Sequence, residues 1–299
     1  MTSVVVPVFN GAHVLALCAP ATLAMRGVDE WIWVDDGSTD ETADLLDGLL
    51  ASQPRARVVR HDVNRGRAAA RNTGIAATTG DVLVFLDADV APEPDTAERF
   101  VAVLDAGATA TVARFVSTEF AADPYGVYLI RARRGVPPDA RAGDALPWRL
   151  FVTAGCAVRR EALARAGGFD PGVAYGEDLA LAAHLAADSP EGLHASGATV
   201  TLSDTSTLDR ALFNLAQFGR ALPDLEVRSP DVLRVAGLES ALRPGVRHTV
   251  AASRVLGQIV RWSAPRLPTP MQPVAVRYLL AHTLVRAYDD ARLHPHTGR

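Results

Sequence analysis

The segment Asp81-Val82-Leu83-Val84-Phe85-Leu86-Asp87-Ala88-Asp89 ends an apolar run on two carboxylates spaced one residue apart. Val82 to Leu86 reads as a buried strand of a parallel sheet. Residues two apart on an extended chain point to the same side. Asp87 and Asp89 can therefore converge, provided the backbone stays extended past the strand. Converging carboxylates repel unless something positive lies between them. A divalent cation carrying a phosphate-rich ligand meets that need through oxygen coordination. Open α/β sheets take ligands at the carboxyl ends of their strands, which is where this pair sits.

Three further segments place polar residues at the ends of expected strands or the starts of expected helices. Val6-Pro7-Val8-Phe9-Asn10 closes a strand over 3–9, and Pro7 suggests that the ladder stops there. Val34-Asp35-Asp36-Gly37-Ser38-Thr39-Asp40-Glu41 follows a strand over 30–34. Ser38, with Glu41 three residues on, reads as a capping box opening a helix through Leu45, Leu46, Leu49 and Leu50. Asn64-Arg65-Gly66 precedes a helix over 68–77 that carries Arg71-Asn72-Thr73-Gly74. Taken singly, each segment has a plain structural reading: a turn and N-cap at 35–38, a turn at 64–66, a solvated Arg71. Their placement lets all of them face one cleft.

The elements that must position these residues alternate. Strands over 3–9, 30–34, 56–60 and 82–86, with helices over 12–24, 38–50 and 68–77, predict a parallel, doubly wound sheet with right-handed crossovers. After Asp89 the pattern changes to a helix over 95–105, a strand over 108–116 and an irregular stretch over 117–150. A strand over 151–159, a short helix over 161–166, a helix opening at Glu177-Asp178 and a strand over 198–202 follow. From Thr205 the chain reads as helical, broken at Pro223, Pro230, Pro244, Pro265, Pro268, Pro270 and Pro273. The expected division is an α/β domain over 1–220 and a helical extension over 221–299.

A chain of 299 residues can bury the core of one large α/β domain with an appendage. Its 48% hydrophobic and 21% charged residues are ordinary for a soluble globular protein. A net charge of −4 gives no electrostatic reason to expect nucleic acid. Lysine is absent, so arginine carries all the positive charge. Cys18 and Cys156 lack framework spacing, which points to a reducing compartment. No signal-peptide pattern and no long apolar window occurs, so the expected location is cytoplasmic, without a transmembrane helix.

In order along residues 2 to 220, these segments resemble the family 2 glycosyltransferases, which have the GT-A fold. A fifth segment joins them, Gly167-Gly168-Phe169-Asp170 followed by Gly176-Glu177-Asp178-Leu179. The resemblance implies inverting transfer of a sugar from a nucleotide-diphospho-sugar, UDP-linked, to an acceptor hydroxyl. It implies that Pro7 and the backbone of Val8 line the base pocket and that Asp36 accepts from the ring N–H of the base. Arg71 would lie near the base or the diphosphate, and Asp87 would bind the ribose. Gly66, Ala88 and Glu177 would also border the donor. Asp89 would ligate Mg²⁺ or Mn²⁺, and Asp178 would be the general base. The chemistry agrees: a departing diphosphate needs its charge neutralised, and an attacking hydroxyl needs a carboxylate to take its proton. A neighbouring Glu177 would raise the pKa of Asp178, while the helix N-terminus would lower it.

The chain departs from the family pattern in three places. Thr201-Leu202-Ser203-Asp204 stands where many relatives carry a histidine, leaving Asp204 or a water as the candidate oxygen ligand. His184 lies near the place of a common arginine and reads as a partly buried helix residue. Gln217-Phe218-Gly219-Arg220 only echoes the Gln-x-x-Arg-Trp signature of processive synthases, so a single-addition enzyme is expected. Two rivals stay open: a retaining GT-A transferase and a catalytically silent nucleotide-sugar-binding protein. A nucleotidyltransferase would need a Gly-rich basic loop that Phe9-Asn10-Gly11-Ala12 does not supply.

The acceptor, a glycan, lipid or small molecule, is expected to meet residues 117–150 and the region after 200. Trp148 either stacks on a sugar or packs in the core. Arg131, Arg133 and Arg134 either bind an anionic acceptor or are solvated. A helix over 246–262 has an apolar face of Val255, Leu256, Ile259 and Val260, with Arg247, Arg254 and Arg261 seven apart. It either lies peripherally on an anionic membrane or packs on the catalytic domain. A helix over 274–292 has a stripe wide enough for intrachain packing or a homodimer.

Overall fold

The computed structural model describes residues 1–117, 125, 136–203, 207–243, 245 and 253–294. The chain forms two compact units. One comprises Met1–Thr118 with Gly135–Asp204, and the other Glu119–Arg134 with Thr205–Arg299. The expected boundary at 220/221 falls inside a continuous helix of the second unit.

The first unit is built on an eight-stranded sheet in the order β3-β2-β1-β4-β7-β6-β8-β5. The strands are β1 (Thr2–Val8), β2 (Glu30–Asp35), β3 (Ala56–Arg60), β4 (Val82–Leu86), β5 (Val90–Pro92), β6 (Ala110–Ser117), β7 (Gly155–Arg159) and β8 (Leu193–Leu202). β1 pairs in parallel with β2 and β4, and β2 with β3. The later strands break the parallel run, because β7 is antiparallel to both β4 and β6. The helices are α1 (Ala12–Leu23), α2 (Thr42–Leu50), α3 (Arg67–Ala77), α4 (Thr96–Asp105), α5 (Arg160–Arg165) and α6 (Glu177–Asp188). The mixed, mostly parallel sheet with covering helices is the GT-A architecture.

Both sheet faces are covered, and the strands accordingly read as continuous apolar runs. Val4, Val6, Val8, Trp31 and Trp33 face one core together with Leu15, Leu46 and Phe100. Ile32 and Val34 turn the other way, toward Ala70 of α3. Gly74 of α3 lies so close to Val5 that a Cβ would collide with its side chain. That glycine is thus needed for helix–sheet approach.

Three sequence expectations change. Pro7 does not end its strand, since β1 runs to Val8 with Pro7 opposite Val34. The Ser38/Glu41 capping box does not form. α2 starts at Thr42, and Ser38 instead donates its N–H to Asp35 Oδ1 at 3.0 Å and accepts from the Asn10 N–H. The third is a missed element: β5 is three residues long and shows no period to read.

The second unit packs α7 (Leu208–Arg228), α8 (Val232–Ala236), α9 (Arg254–Ser263) and α10 (Gln272–Leu293). α7 runs through Pro223 instead of breaking there. Gly219 of α7 faces the Leu284 carbonyl and Ala287 of α10, where a Cβ would meet atoms 2.8 Å away. The close approach seats Leu222, Leu284, Val285 and Tyr288 in one apolar cluster. No helix of the described residues is long and apolar enough to cross a membrane.

Candidate active site

Arg71 is the hub at the carboxyl end of the sheet. It sits on α3, 2% exposed, with Nη2 donating to Asp87 Oδ1 at 2.9 Å and Nη1 to Glu177 Oε1 at 2.7 Å. Its guanidinium also lies over the Phe169 ring, 5.5 Å from the centroid. Burial alone would lower the pKa of Arg71, but Asp87 and Glu177 outweigh it and hold the group charged. Both terminal nitrogens face carboxylates. Arg71 thus bridges the end of β4 to the start of α6.

The chain does not stay extended after β4. Asp87 to Val90 form a turn closed by the Val90 N–H to the Asp87 carbonyl at 3.2 Å. The two carboxylates are therefore given separate surroundings, with Ala88 at the turn between them. Asp87 faces Arg71 and keeps 32% of its side chain exposed. Asp89 lies near Cys18 and Ser203; its carbonyl accepts the Ser203 N–H at 2.9 Å. The Cys18 Sγ sits 3.1 Å from Ser203 Oγ, and burial with the Asp89 charge raises its pKa.

Asp178 follows Glu177 at the first turn of α6, after Gly176 in a left-handed conformation. Its Oδ1 accepts the Leu179 N–H at 2.8 Å. It keeps some contact with solvent yet lies deep in the unit. Burial, then the Glu177 charge, push its pKa up to about 6, against the pull of Arg71 and the backbone. Glu177 is 5% exposed and bound to Arg71, so its carboxylate is engaged within the protein.

Asp36 is more enclosed than expected. It is 3% exposed and accepts the Arg65 and Gly66 N–H groups at 2.9 Å each. His61 Nδ1 lies 2.7 Å from Asp36 Oδ1, and His61 Nε2 lies 2.9 Å from Thr73 Oγ1. A carboxylate has about four acceptor sites, and three partners already occupy Asp36. Its visible work is to fix the 61–66 loop and Gly66, which leads into α3 with φ +88°. Sequence reading missed His61; the available signal was a histidine just beyond the end of β3.

The remaining motif residues lace loops together. Asn10 holds Thr39 through its side-chain oxygen at 2.8 Å. Asn72 clamps the Phe169 backbone, donating to its carbonyl at 2.6 Å and accepting its N–H at 3.1 Å. Val8 is buried and Pro7 half-buried at the end of β1. Trp148 is 5% exposed with its ring N–H donating to the Ser189 carbonyl at 2.9 Å, which decides for core packing over sugar stacking. His184 is half-buried on α6. Asp204, Arg131, Arg133, Arg134 and Arg247 lie outside the described residues.

No cluster of three or more His, Cys, Asp or Glu that could hold a metal occurs among the described residues. A magnesium-type ion is commonly held through one or two carboxylates, with substrate phosphates and waters completing its shell. A single carboxylate at Asp89 fits an ion of that kind and would not build a closed protein cage.

Residues 3–167 match the family model described as glycosyl transferase family 2. The chain belongs to that family. A pre-mycofactocin glycosyltransferase of Mycobacterium tuberculosis is 30% identical over 233 residues, 77% of this chain and 48% of that protein. An uncharacterized glycosyltransferase of Nostoc is 32% identical over 177 residues, 56% of this chain and 54% of its own length. The chain thus spans about half the length of these curated relatives. Among solved structures, the mannosyltransferase PcManGT of Pyrobaculum calidifontis, in complex with GDP-Man and Mn²⁺, matches with TM-score 0.63 and 19% identity. That match covers 99% of this chain and 87% of PcManGT. S. aureus TarS 1-349 with UDP-GlcNAc matches with TM-score 0.55 and 13% identity, over 99% and 93% of the two chains. At these identities the structural matches establish the fold.

Proposed function

We propose that this family 2 protein is an inverting, metal-dependent glycosyltransferase that moves one sugar from a nucleotide-diphospho-sugar, UDP-linked, to an acceptor hydroxyl. The observation that carries the reading is Asp178. It stands at a helix start, tied through Glu177, Arg71 and Asp87 to the carboxyl end of β4, and burial raises its pKa to about 6. A carboxylate tuned toward neutral pH suits a general base that takes the acceptor's proton.

In this reading Pro7 and Val8 form one wall of the base pocket, and Asp36 holds the opposing 61–66 loop in place. Asp87 turns its exposed carboxylate oxygen toward the ribose while Arg71 fixes its other oxygen. Asp89 would hold Mg²⁺ or Mn²⁺, which would supply the positive charge that a departing diphosphate needs. Ala88, Gly66 and Glu177 border the donor, Glu177 by holding Arg71 in position. The bound donors of PcManGT and TarS carry different bases, so the base is read here from the resemblance in the motifs.

The test is a thermal-shift screen with UDP, GDP and their sugar conjugates, with and without Mn²⁺. A ligand that binds the folded state raises its apparent stability. The expected result is a UDP-sugar shift that needs metal, lost in Asp89→Ala and kept in Asp178→Asn, with transfer abolished in both. Full turnover by Asp178→Asn would remove the base assignment. Binding without any metal-dependent donor hydrolysis or transfer would favour a silent binding protein, and retained stereochemistry a retaining enzyme.

A further inference from the structure

α9 packs through its small side and turns its bulky side to solvent. Gly257 is buried, and a Cβ there would come 2.6 Å from the His282 ring of α10. Val260 joins Ala264, Ala275 and Leu279 in the cluster beneath. At 3.6 residues per turn, Gly257, Val260 and Ala264 share that face, while Val255, Ile259 and Trp262 centre on the opposite one. These three are 64%, 55% and 66% exposed, and Leu256 beside them 47%. Helices of a soluble core bury their largest apolar residues first, so contiguous exposure of this kind marks an interaction surface.

The charge of the sequence that carries this face indicates what it meets. From Ser240 to Tyr288 the sequence holds Arg243, Arg247, Arg254, Arg261, Arg266, Arg277 and Arg286, with no Asp or Glu, in a chain of net charge −4. Arg266 stacks on Trp262, 4.4 Å from its ring centroid, at the end of the apolar stripe. Asp209 pairs with Arg261 at 2.7 Å, on the shoulder of the helix and away from that stripe. A tryptophan, branched aliphatics and the Arg266 guanidinium stacked on that indole suit a headgroup interface: rings and aliphatics enter the acyl boundary and guanidinium groups meet lipid phosphates.

We propose that the Val255, Leu256, Ile259 and Trp262 face of α9 docks in the plane of an anionic lipid bilayer. The sequence had left this face open between a membrane and a protein core. Within its own unit, α9 packs on α10 through the other side. The proposal is independent of the reaction assigned to the first unit.

The experiment is co-sedimentation of the full chain with phosphatidylcholine vesicles, with and without about 30% phosphatidylglycerol, supported by tryptophan fluorescence. Trp31, Trp33 and Trp148 are buried, so Trp262 is the exposed indole that reports contact. The expected result is binding to the anionic vesicles, a blue shift, quenching by brominated acyl chains, and release by salt. Ile259→Asn with Trp262→Gln should weaken binding on the order of tenfold or more at an unchanged melting temperature. Arg266→Gln should weaken it less. Three outcomes overturn the proposal: no vesicle binding, binding equal on neutral and anionic lipid, or a dimer that the double variant dissolves without any lipid effect. The last would make the face a contact between copies of this chain.

Discussion

Replacing Asp178 by Asn should stabilise the protein, and more so as pH rises. The carboxyl has a folded pKa of about 6 against an ordinary value of 3.8. A group with a raised folded pKa contributes stability that is fully present below the unfolded pKa and lost as pH climbs through the folded one. Above pH 6 the ionised Asp178 thus costs the fold roughly 3 kcal/mol relative to its protonated form, at 1.36 kcal/mol per pKa unit. About half of that cost is already present at pH 5, because the unfolded carboxyl is ionised there. Asn keeps the shape and removes the titration. The stability advantage of Asp178→Asn should therefore grow by roughly 1 to 1.5 kcal/mol between pH 5 and pH 8. Urea unfolding of both proteins at the two pH values reads this difference without any acceptor or donor. An advantage that shrinks with rising pH would mean a depressed pKa, and the argument for a base poised near neutrality would fail with it.

Four other outcomes follow from the same contacts. Arg71→Met should lower stability by roughly 3 to 5 kcal/mol, since it leaves Glu177 buried without its cation, and calorimetry or urea melts would read it. Gly37→Ala should cost more than Gly66→Ala. Both have positive φ, but a Cβ at Gly37 lies 2.5 Å from the Val63 carbonyl carbon, whereas Gly66 faces open space; about 1 kcal/mol is expected at Gly66 and several-fold that at Gly37, from paired thermal melts. His61→Ala should raise the KM for the donor more than it lowers kcat, because it loosens the Asp36 loop; an equal fall in kcat would place His61 closer to the chemistry. If Asp178 is the base, kcat/KM should fall roughly tenfold from pH 7 to pH 5, and a flat profile over that range would count against it.

The sheet was legible because both of its faces are covered: β1, β2 and β4 are uninterrupted apolar runs that no soluble helix would carry. The order of the motifs was legible for the same reason, most falling at a strand end or a helix start. What the sequence concealed is the direction of single side chains. Asp87 and Asp89 have the spacing of a convergent pair only if the chain stays extended, and one turn after β4 separates them. Ser38 and Glu41 have the spacing of a capping box, but Asn10 and Asp35 compete for Ser38 across a loop contact that local pattern does not contain. Arg71 reads as a solvated helix residue because its partners lie 16 and 106 positions away. Pro223 reads as a break, yet close packing of α7 on α10 at Gly219 carries the helix through it.

These misreadings share a cause that also explains the motifs. The polar residues at the end of the sheet are largely one another's partners. Asp36 holds the loop before α3, Asn72 holds Phe169, and Arg71 ties β4 to α6. Around Arg71 stand Asp87, Glu177 and Asp178, three carboxylates against one guanidinium. Arg71 can satisfy two of them through its terminal nitrogens, and both go to Asp87 and Glu177. The third, Asp178, is left with a backbone N–H and an excess of negative charge in a buried setting, so its proton is held up to about pH 6. In the proposed reaction, the surplus carboxylate that the fold does not neutralise is the one that would accept the proton. Its raised pKa is a consequence first of burial and then of the Glu177 charge beside it, which the single arginine does not offset.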